Sequence, residues 1–568
     1  MIGYIEGIFL CLSSDRLKDQ GWLRRLMFAP VCAALSAFIV SLCFTLSLTP
    51  AYSQTPPASS ISQEDSVLKG LNALKQHRLD EALDAFTAAE QRYPSDANVR
   101  NFRGIVLAQL GRNEEAAAEY QEAIRLEPKN KDAYRNLGFL RWTERRYGEA
   151  REALTRAVSL FPDDSFAHYY LGRVQLDTQQ FTEALRELKL PGVSWPADPD
   201  FLIQVATGYE AIGKRADACE PLNELLKLPL DDTQSARVAS LLLNVQQNEK
   251  AIELLTKSST RQLAGSGSWV QFDLALAYLL SGRAEQAVEQ GNSHLELLRK
   301  TKAKPNEMAP AWSLVGLAYA RLGHGTLAVE ALRQAATLDP HREEGWLNLT
   351  RELMELGRYA EAISAAEKGI AANPNSYVLQ LRLGAASLAA GQYHDAERVF
   401  RSLADAGDPL PTSYIGLAQV LLREGRAEDA VSELSAARER IGSNFLINYF
   451  LGLSLDRAAK RTEAITAFQE ALRLNPDSSE ANLGLGKSTL AVGRIGEAIA
   501  ALSEAVRLAP GNAQAQRLLS QAYRRIGDTK NAAKYAETSA ETSSVPETDL
   551  LGDFLLPAWR MPEQSKRE

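Results

Sequence analysis

ANVRNFRGIVLAQLGRNEEAAAEYQEAIRLEPKN, residues 97–130, is one copy of a sentence that the chain writes repeatedly. In its first half Val99, Phe102, Val106, Leu107 and Leu110 fall at helical spacing and predict an amphipathic helix. Gly111 stands where that helix must stop in a left-handed conformation. Glu114 and Glu115 open a second helix, at the end where the helix dipole favours negative charge. Ala116, Tyr120 and Ala123 form its inner stripe, Pro128 ends it, and Asn130 is placed to cap the first helix of the next copy. Gly104 and Ala116 are small because two helices in a tight antiparallel pair need a near-absent side chain where their axes come closest.

Working outward, Gly70, Gly104, Gly138 and Gly172 mark one position of the copy, and Gly316, Gly384, Gly452 and Gly486 continue the register farther on. A second position is alanine throughout: Ala82, Ala116, Ala150, Ala184, then Ala328, Ala362, Ala396, Ala430, Ala464, Ala498 and Ala532. A fixed period of this length predicts a solenoid, which grows by stacking units instead of starting new cores. Clear copies run over 63–198 and 309–541, and degenerate ones fill 199–308, which gives about fourteen helix-turn-helix units in an all-α chain. Residues 191–196 and 301–306 read as surface loops.

The pattern resembles the tetratricopeptide repeat. Residues 309–342 carry its signature in Trp312, Val315-Gly316, Tyr319, Ala328, Leu332, Ala335 and Pro340. Residues 131–164 supply Tyr134, Leu137-Gly138, Ala150, Leu154, Ala157 and Pro162, and residues 445–478 supply Leu451-Gly452, Ala464, Phe468, Ala471 and Pro476. The resemblance implies an α-α superhelix whose first helices line a concave groove. Carried over by register, Arg135, Phe139, Trp142, Tyr169 and Arg173 face that groove as candidate partner-binding residues. Arg321, Arg351, Arg423, Arg457 and Arg525 would form a basic rail for an acidic segment. It implies a non-enzymatic scaffold that binds a protein or peptide, in the assembly of an envelope or secretion complex. The alternative is a carbohydrate-binding or accessory subunit for polysaccharide export, in which a sugar would stack on Trp142 and Tyr169. The family's dicarboxylate clamp is not reproduced: Asn348 and Arg382 fit it, whereas Ser313, Leu317 and Val378 do not.

The rest of the chain excludes more than it adds. The net charge of -8 gives no general pull toward nucleic acid. Phosphate-binding loops, zinc motifs and nucleophile elbows are absent from the sequence, and the six histidines fall in different copies at no ligand spacing, as surface or boundary residues. No cofactor, metal or catalytic residue is therefore expected. Residues 1–53 read as a signal peptide or membrane anchor. Arg24-Arg25 precedes an uncharged apolar run, residues 26–48, and Ala51 and Ser53 make a small-x-small cleavage site before Gln54. The expectation is export to the periplasm or cell envelope, with anchoring in the inner membrane if residues 26–48 are retained. Residues 54–62 read as a flexible linker and 542–568 as a disordered tail. The apolar cluster of that tail, 550–559, would cap the last unit or serve as a short motif.

Overall fold

The computed structural model describes residues 61–261, 268–407 and 411–542. Among these residues there are 28 helices and no strand. The chain divides into two compact units, Met1–Ser281 and Gly282–Glu568. The first contains α1 (Ile61–Lys75), α2 (Leu79–Arg92), α3 (Ala97–Gln109), α4 (Asn113–Leu126), α5 (Lys131–Thr143), α6 (Tyr147–Leu160), α7 (Ser165–Asp177), α8 (Phe181–Leu188), α9 (Pro199–Ala211), α10 (Cys219–Leu225), α11 (Asp232–Asn244), α12 (Asn248–Arg261) and α13 (Ser268–Leu280). The second contains α14 (Ala284–Lys300), α15 (Pro305–Arg321), α16 (Gly325–Leu338), α17 (Glu343–Glu355), α18 (Tyr359–Ala372), α19 (Tyr377–Ala389), α20 (Tyr393–Asp405), α21 (Thr412–Arg423), α22 (Ala427–Ile441), α23 (Phe445–Arg457), α24 (Arg461–Leu474), α25 (Ser479–Ala491), α26 (Ile495–Leu508), α27 (Ala513–Arg525) and α28 (Thr529–Thr542). Within each unit a helix packs on the next, and first helices of successive pairs also meet, as α5, α7 and α9 do. Each unit is therefore an α-α solenoid with its first helices in one inner layer.

The recurring residues have local causes. Most first helices start on a side-chain cap: Asn130 accepts the Ala133 N–H at 3.0 Å, Asp164 that of Ala167 at 3.1 Å, and Asn512 that of Ala515 at 2.9 Å. Apart from α28, where Asp528 accepts the Asn531 N–H at 3.0 Å, second helices mostly have no such cap. Instead an arginine stands at the cap position and reaches an acid three residues on, as Arg112 does to Glu115 through Nε at 2.7 Å and Nη2 at 2.5 Å. Arg146 and Glu149, Arg358 and Glu361, and Arg494 and Glu497 repeat the pair. This explains the recurring Gly-Arg-x-x-acid. The pairs are exposed, so they contribute little, and the acid's placement by the dipole is the larger reason for it.

The inner glycines are steric. A Cβ on Gly104 would lie 2.6 Å from the Tyr120 ring, and one on Gly138 would lie 2.5 Å from Leu154 Cγ. Only hydrogen lets the two helices close at that level. At the turn between helices, Gly111 has φ +76°, but the same place holds Ala459 at +61°. An L-residue is strained there by roughly 1 kcal/mol. Ala459→Gly is accordingly expected to stabilise the second unit by up to about 1 kcal/mol in chemical denaturation, since Ala459 is exposed and loses no packing. A lower midpoint for the variant would show that chain entropy outweighs the strain.

Two expectations of loop differ in outcome. Residues 191–196 are turn and irregular chain. At 301–306, in contrast, only Thr301–Lys304 lies outside helix, and the extra residues of that copy lengthen α14 and α15 to 17 residues each. Pro305 opens α15 at its first position, where a missing N–H costs nothing, and Lys304 N–H donates to Glu307 Oε2 at 3.1 Å. The segment 1–53 expected to be a signal or anchor, most of the expected 54–62 linker and the tail beyond Thr542 lie outside the described residues. No helix among the described residues is long and apolar enough to cross a membrane.

Candidate functional site: an aromatic and arginine cluster

Four of the expected groove residues, Phe139, Trp142, Tyr169 and Arg173, converge on the inner layer of the first unit from α5 and α7, and α9 packs beside them. These helices are fixed at their N-termini by Asn130, Asp164 and Asp198, so their registers agree. From α5 come Phe139 and Trp142, with ring centroids 6.0 Å apart. Tyr170 of α7 meets both, Phe139 edge-on at 4.7 Å and Trp142 at 5.2 Å. Tyr169 packs on Tyr170 at 5.0 Å and on Phe201 of α9 at 5.6 Å. Tyr170 and Phe201 are buried, whereas Phe139, Trp142, Tyr169 and Arg173 keep partial exposure. The cluster is therefore both the core between successive units and part of the surface of the layer.

Polar groups hold it in place. Trp142 Nε1–H donates to Asp177 Oδ2 at 2.8 Å, and Gln204 Nε2 donates to the other oxygen of Asp177 at 3.4 Å. Asp177 thereby joins α5, α7 and α9. Burial, and next the Asp177 carboxylate, pushes the Tyr147 phenol up. Arg173 lies over Trp142 at 5.1 Å, over Phe201 at 4.9 Å and over Tyr169 at 5.9 Å, and its Nη1 donates to the Tyr169 hydroxyl at 3.0 Å. Arg135 is placed differently: it pairs with Asp132 at 2.8 Å and with the cap residue Asp164 at 3.5 Å, and lies over Phe166. It fixes the start of the next unit.

The arginines of the second unit do not share one environment. Arg321, Arg423, Arg457 and Arg525 stand in the last turns of α15, α21, α23 and α27, where the dipole favours positive charge, and all four keep solvent exposure. Arg525 Nη1 donates to the Leu490 carbonyl at 2.8 Å and so satisfies a helix-end acceptor of the previous pair. Arg351 is buried, 4.0 Å from Glu355 Oε1. Desolvation, and next the like charge of Arg351, pulls the Arg321 guanidinium below the ordinary arginine range.

Some residues behave otherwise than their positions in sequence predict. His168 is buried, its Nδ1 2.5 Å from Glu187 and its Nε2 2.8 Å from the Pro162 carbonyl, so it ties the α7–α8 pair together. His294 is buried as well. Glu210, on α9, accepts from the Asn244 amide of α11, and burial raises its carboxyl above 4.5. The fold thus favours the neutral acid: its contribution is present below the unfolded value and is lost as pH rises through the folded one. Glu210→Gln is expected to gain stability relative to wild type between pH 4 and pH 7 in thermal melts. A constant difference over that range would remove this titration from the account. Among the described residues, no group of three or more His, Cys, Asp or Glu is placed to hold a metal ion.

Comparison with known proteins gives the same architecture. Models of the tetratricopeptide repeat match residues 67–133, 135–190, 268–290, 320–383, 353–409, 411–435 and 458–522. Superkiller complex protein 3 of Mus musculus is 24% identical over 269 residues, 46% of this chain and 17% of the mouse protein. Cellulose synthase 2 operon protein C of Komagataeibacter xylinus is 24% identical over 347 residues, 56% of this chain and 25% of that protein. The chain thus spans a quarter or less of the length of these curated relatives. Among solved structures, yeast Tom70 aligns over 83% of this chain and 96% of its own, at 19% identity and a TM-score of 0.35. The APC/C hetero-tetramer Cut9–Hcn1 aligns over 86% and 99%, at 15% identity and a TM-score of 0.32.

Proposed function

The chain belongs to the tetratricopeptide repeat family, and we propose that it is a non-enzymatic scaffold that binds a protein or peptide on the inner layer of its helices. The observation that carries this reading is the cluster of Phe139, Trp142, Tyr169 and Arg173. These are large side chains, fixed by packing and hydrogen bonds yet still in part exposed. Rigid aromatics and arginine are the residues on which binding energy concentrates, because little entropy is lost when they are covered. The polysaccharide alternative draws less support. A sugar needs open ring faces, and Arg173 lies over the Trp142 ring and bonds the Tyr169 hydroxyl, while Tyr170 takes up further ring surface of both.

Export and an envelope location belong to the same proposal, on the strength of the apolar run 26–48 and the site before Gln54. N-terminal sequencing of the protein from its native cell tests it: a start at Gln54 supports cleavage and export, and an intact Met1 in a soluble fraction contradicts both. The groove is tested by capture with the full chain, followed by reconstitution of each captured protein in purified form. A partner of this layer should bind Arg173→Ala about tenfold or more weakly. Equal affinity of every partner for wild type and variant would move the working surface away from this cluster.

A further inference from the structure

Arg173 differs from the other shielded arginines around it. Arg100 and Arg103 share Glu90 and Glu119 at distances up to 3.2 Å. Arg135 has Asp132 and Asp164, and Arg141 has Glu144 at 2.6 Å with Glu114 and Glu149 farther out. Arg173 has no carboxylate within ion-pair distance among the described residues. What it has is three aromatic rings, one of which also accepts its hydrogen bond through the Tyr169 hydroxyl; these hold the guanidinium in place but leave its charge unneutralised. Its Nε is buried without an acceptor, as are those of Arg100, Arg103 and Arg141, so the difference lies in the missing carboxylate. Asp177, one helical turn along on the same face, is spent on the Trp142 indole and the Gln204 amide.

A half-buried guanidinium set among rings and lacking a counter-ion is a preorganised receptor for an anion. Its side-chain entropy is already lost and its hydration already reduced, so a carboxylate that reaches it gains a charge-assisted bond at small further cost. The surroundings define what accompanies the charge. Trp142 and Tyr169 offer apolar surface directly beside it, with Phe139 next to Trp142, and such surface is covered best by an aliphatic or aromatic side chain.

We propose that Arg173 is the anchor for a carboxylate in the bound partner, and that the inner layer of the first unit recognises a peptide segment in which Asp or Glu stands next to a large apolar residue. This rests on the scaffold reading above and makes it specific. Charge complementarity decides the class of occupant: a neutral apolar peptide would bury the Arg173 charge without compensation, and a basic one would repel it.

The test is selection from a random decapeptide library displayed on phage, with the full chain, Arg173→Gln and Arg173→Lys as baits. Circular dichroism and thermal melts establish that each bait is folded. Wild type is expected to enrich peptides with an Asp or Glu beside Leu, Ile, Phe or Trp. Synthetic versions should bind Arg173→Gln on the order of 10-fold to 100-fold more weakly. Arg173→Lys keeps the charge but not the flat stacked group, so its loss should be intermediate. Replacing the acidic residue of the peptide by Asn or Gln should cost wild type as much and Arg173→Gln little. Enriched peptides without an acidic preference would overturn the anchor assignment and leave the scaffold reading standing. The same acidic preference in Arg173→Gln as in wild type would overturn it too, placing the anion elsewhere. Failure of the folded wild type to enrich any peptide would count against the groove reading itself, and against the anchor with it.

Discussion

Phe468→Ala is expected to destabilise the second unit by about 3–5 kcal/mol, the upper range for a single core truncation. The ring is fully buried and is held from two sides by residues without side chains. A Cβ on Gly452, of its own helix pair, would lie 2.8 Å from the ring, and one on Gly484, of the next pair, 2.5 Å. Removing the ring therefore leaves a void that neither neighbour has a side chain to fill, and the cavity cost adds in full to the lost transfer energy. Leucine fills the same position at Leu154, Leu332 and Leu502, each against the glycine of its own helix pair. Phe468→Leu should thus cost much less, about 1.5 kcal/mol or under. Denaturant titrations of the two variants and wild type make the comparison. A Phe468→Ala loss below 1 kcal/mol, or equal losses for both variants, would refute the two-sided wedge. Phe400 sits in the same arrangement, against Gly384 at 2.8 Å and Gly416 at 2.5 Å, so the effect should recur there.

These wedges show why so much of the fold can be read from the residues. The glycine at one position, the alanine at another and the large residue between them are three faces of a single contact repeated along the chain. Any copy in which all three survive can be placed without a structure. Helix starts are equally legible, because Asn130, Asp164 and Asn512 each cap by a bond to a residue three places on. The reading fails where a residue has two uses. Pro305 was expected in a loop since proline breaks helices, but proline is also suited to the first helical position, and the neighbouring Glu307 completes that start. Local residues do not show which use applies. The choice depends on whether α14 and α15 find partners along their added turns.

The candidate site was legible in position and illegible in charge balance. Register alone puts Phe139, Trp142, Tyr169 and Arg173 on one wall, and the structure has them in mutual contact. The buried rings that complete the cluster, Tyr170 and Phe201, fall outside the groove-facing register and go unseen. The arginines are harder. In sequence Arg135, Arg173 and Arg525 look alike, whereas in the structure the first is neutralised by Asp132 and by the cap residue of α7. The second is held by rings, and the third is bonded to a carbonyl of the preceding pair. Most of those partners lie about one repeat away, where spacing arguments give a direction but no side-chain geometry. Asp177 was within reach of such an argument. It stands one repeat and one residue beyond Trp142, on the same register that placed the tryptophan.

Trp142→Ala is expected to lower the stability of the first unit by about 3 kcal/mol, the low end for aromatic truncations because the side chain is partly exposed. The change removes ring contacts to Phe139 and Tyr170, uncovers one side of Arg173 and takes the indole N–H from Asp177. Trp142→Phe separates these losses. It keeps most of the ring packing and deletes the hydrogen bond, for about 1 kcal/mol. Phenylalanine is also the weaker partner for a guanidinium, so Arg173 should be less firmly held in a protein that is still folded. The two variants therefore make different demands on the cluster. If it is only core, stability should fall in the order wild type, Trp142→Phe, Trp142→Ala, and the binding of an acidic peptide by the folded fraction should stay constant. If it is a binding surface built on core, Trp142→Phe should already bind severalfold more weakly at temperatures where it is fully folded. Stability by denaturant titration and affinity by calorimetry, on the same samples, distinguish the two. Unchanged affinity in Trp142→Phe and a loss in Arg173→Gln would mean that the guanidinium acts without the indole, with Phe201 and Tyr169 sufficient to hold it.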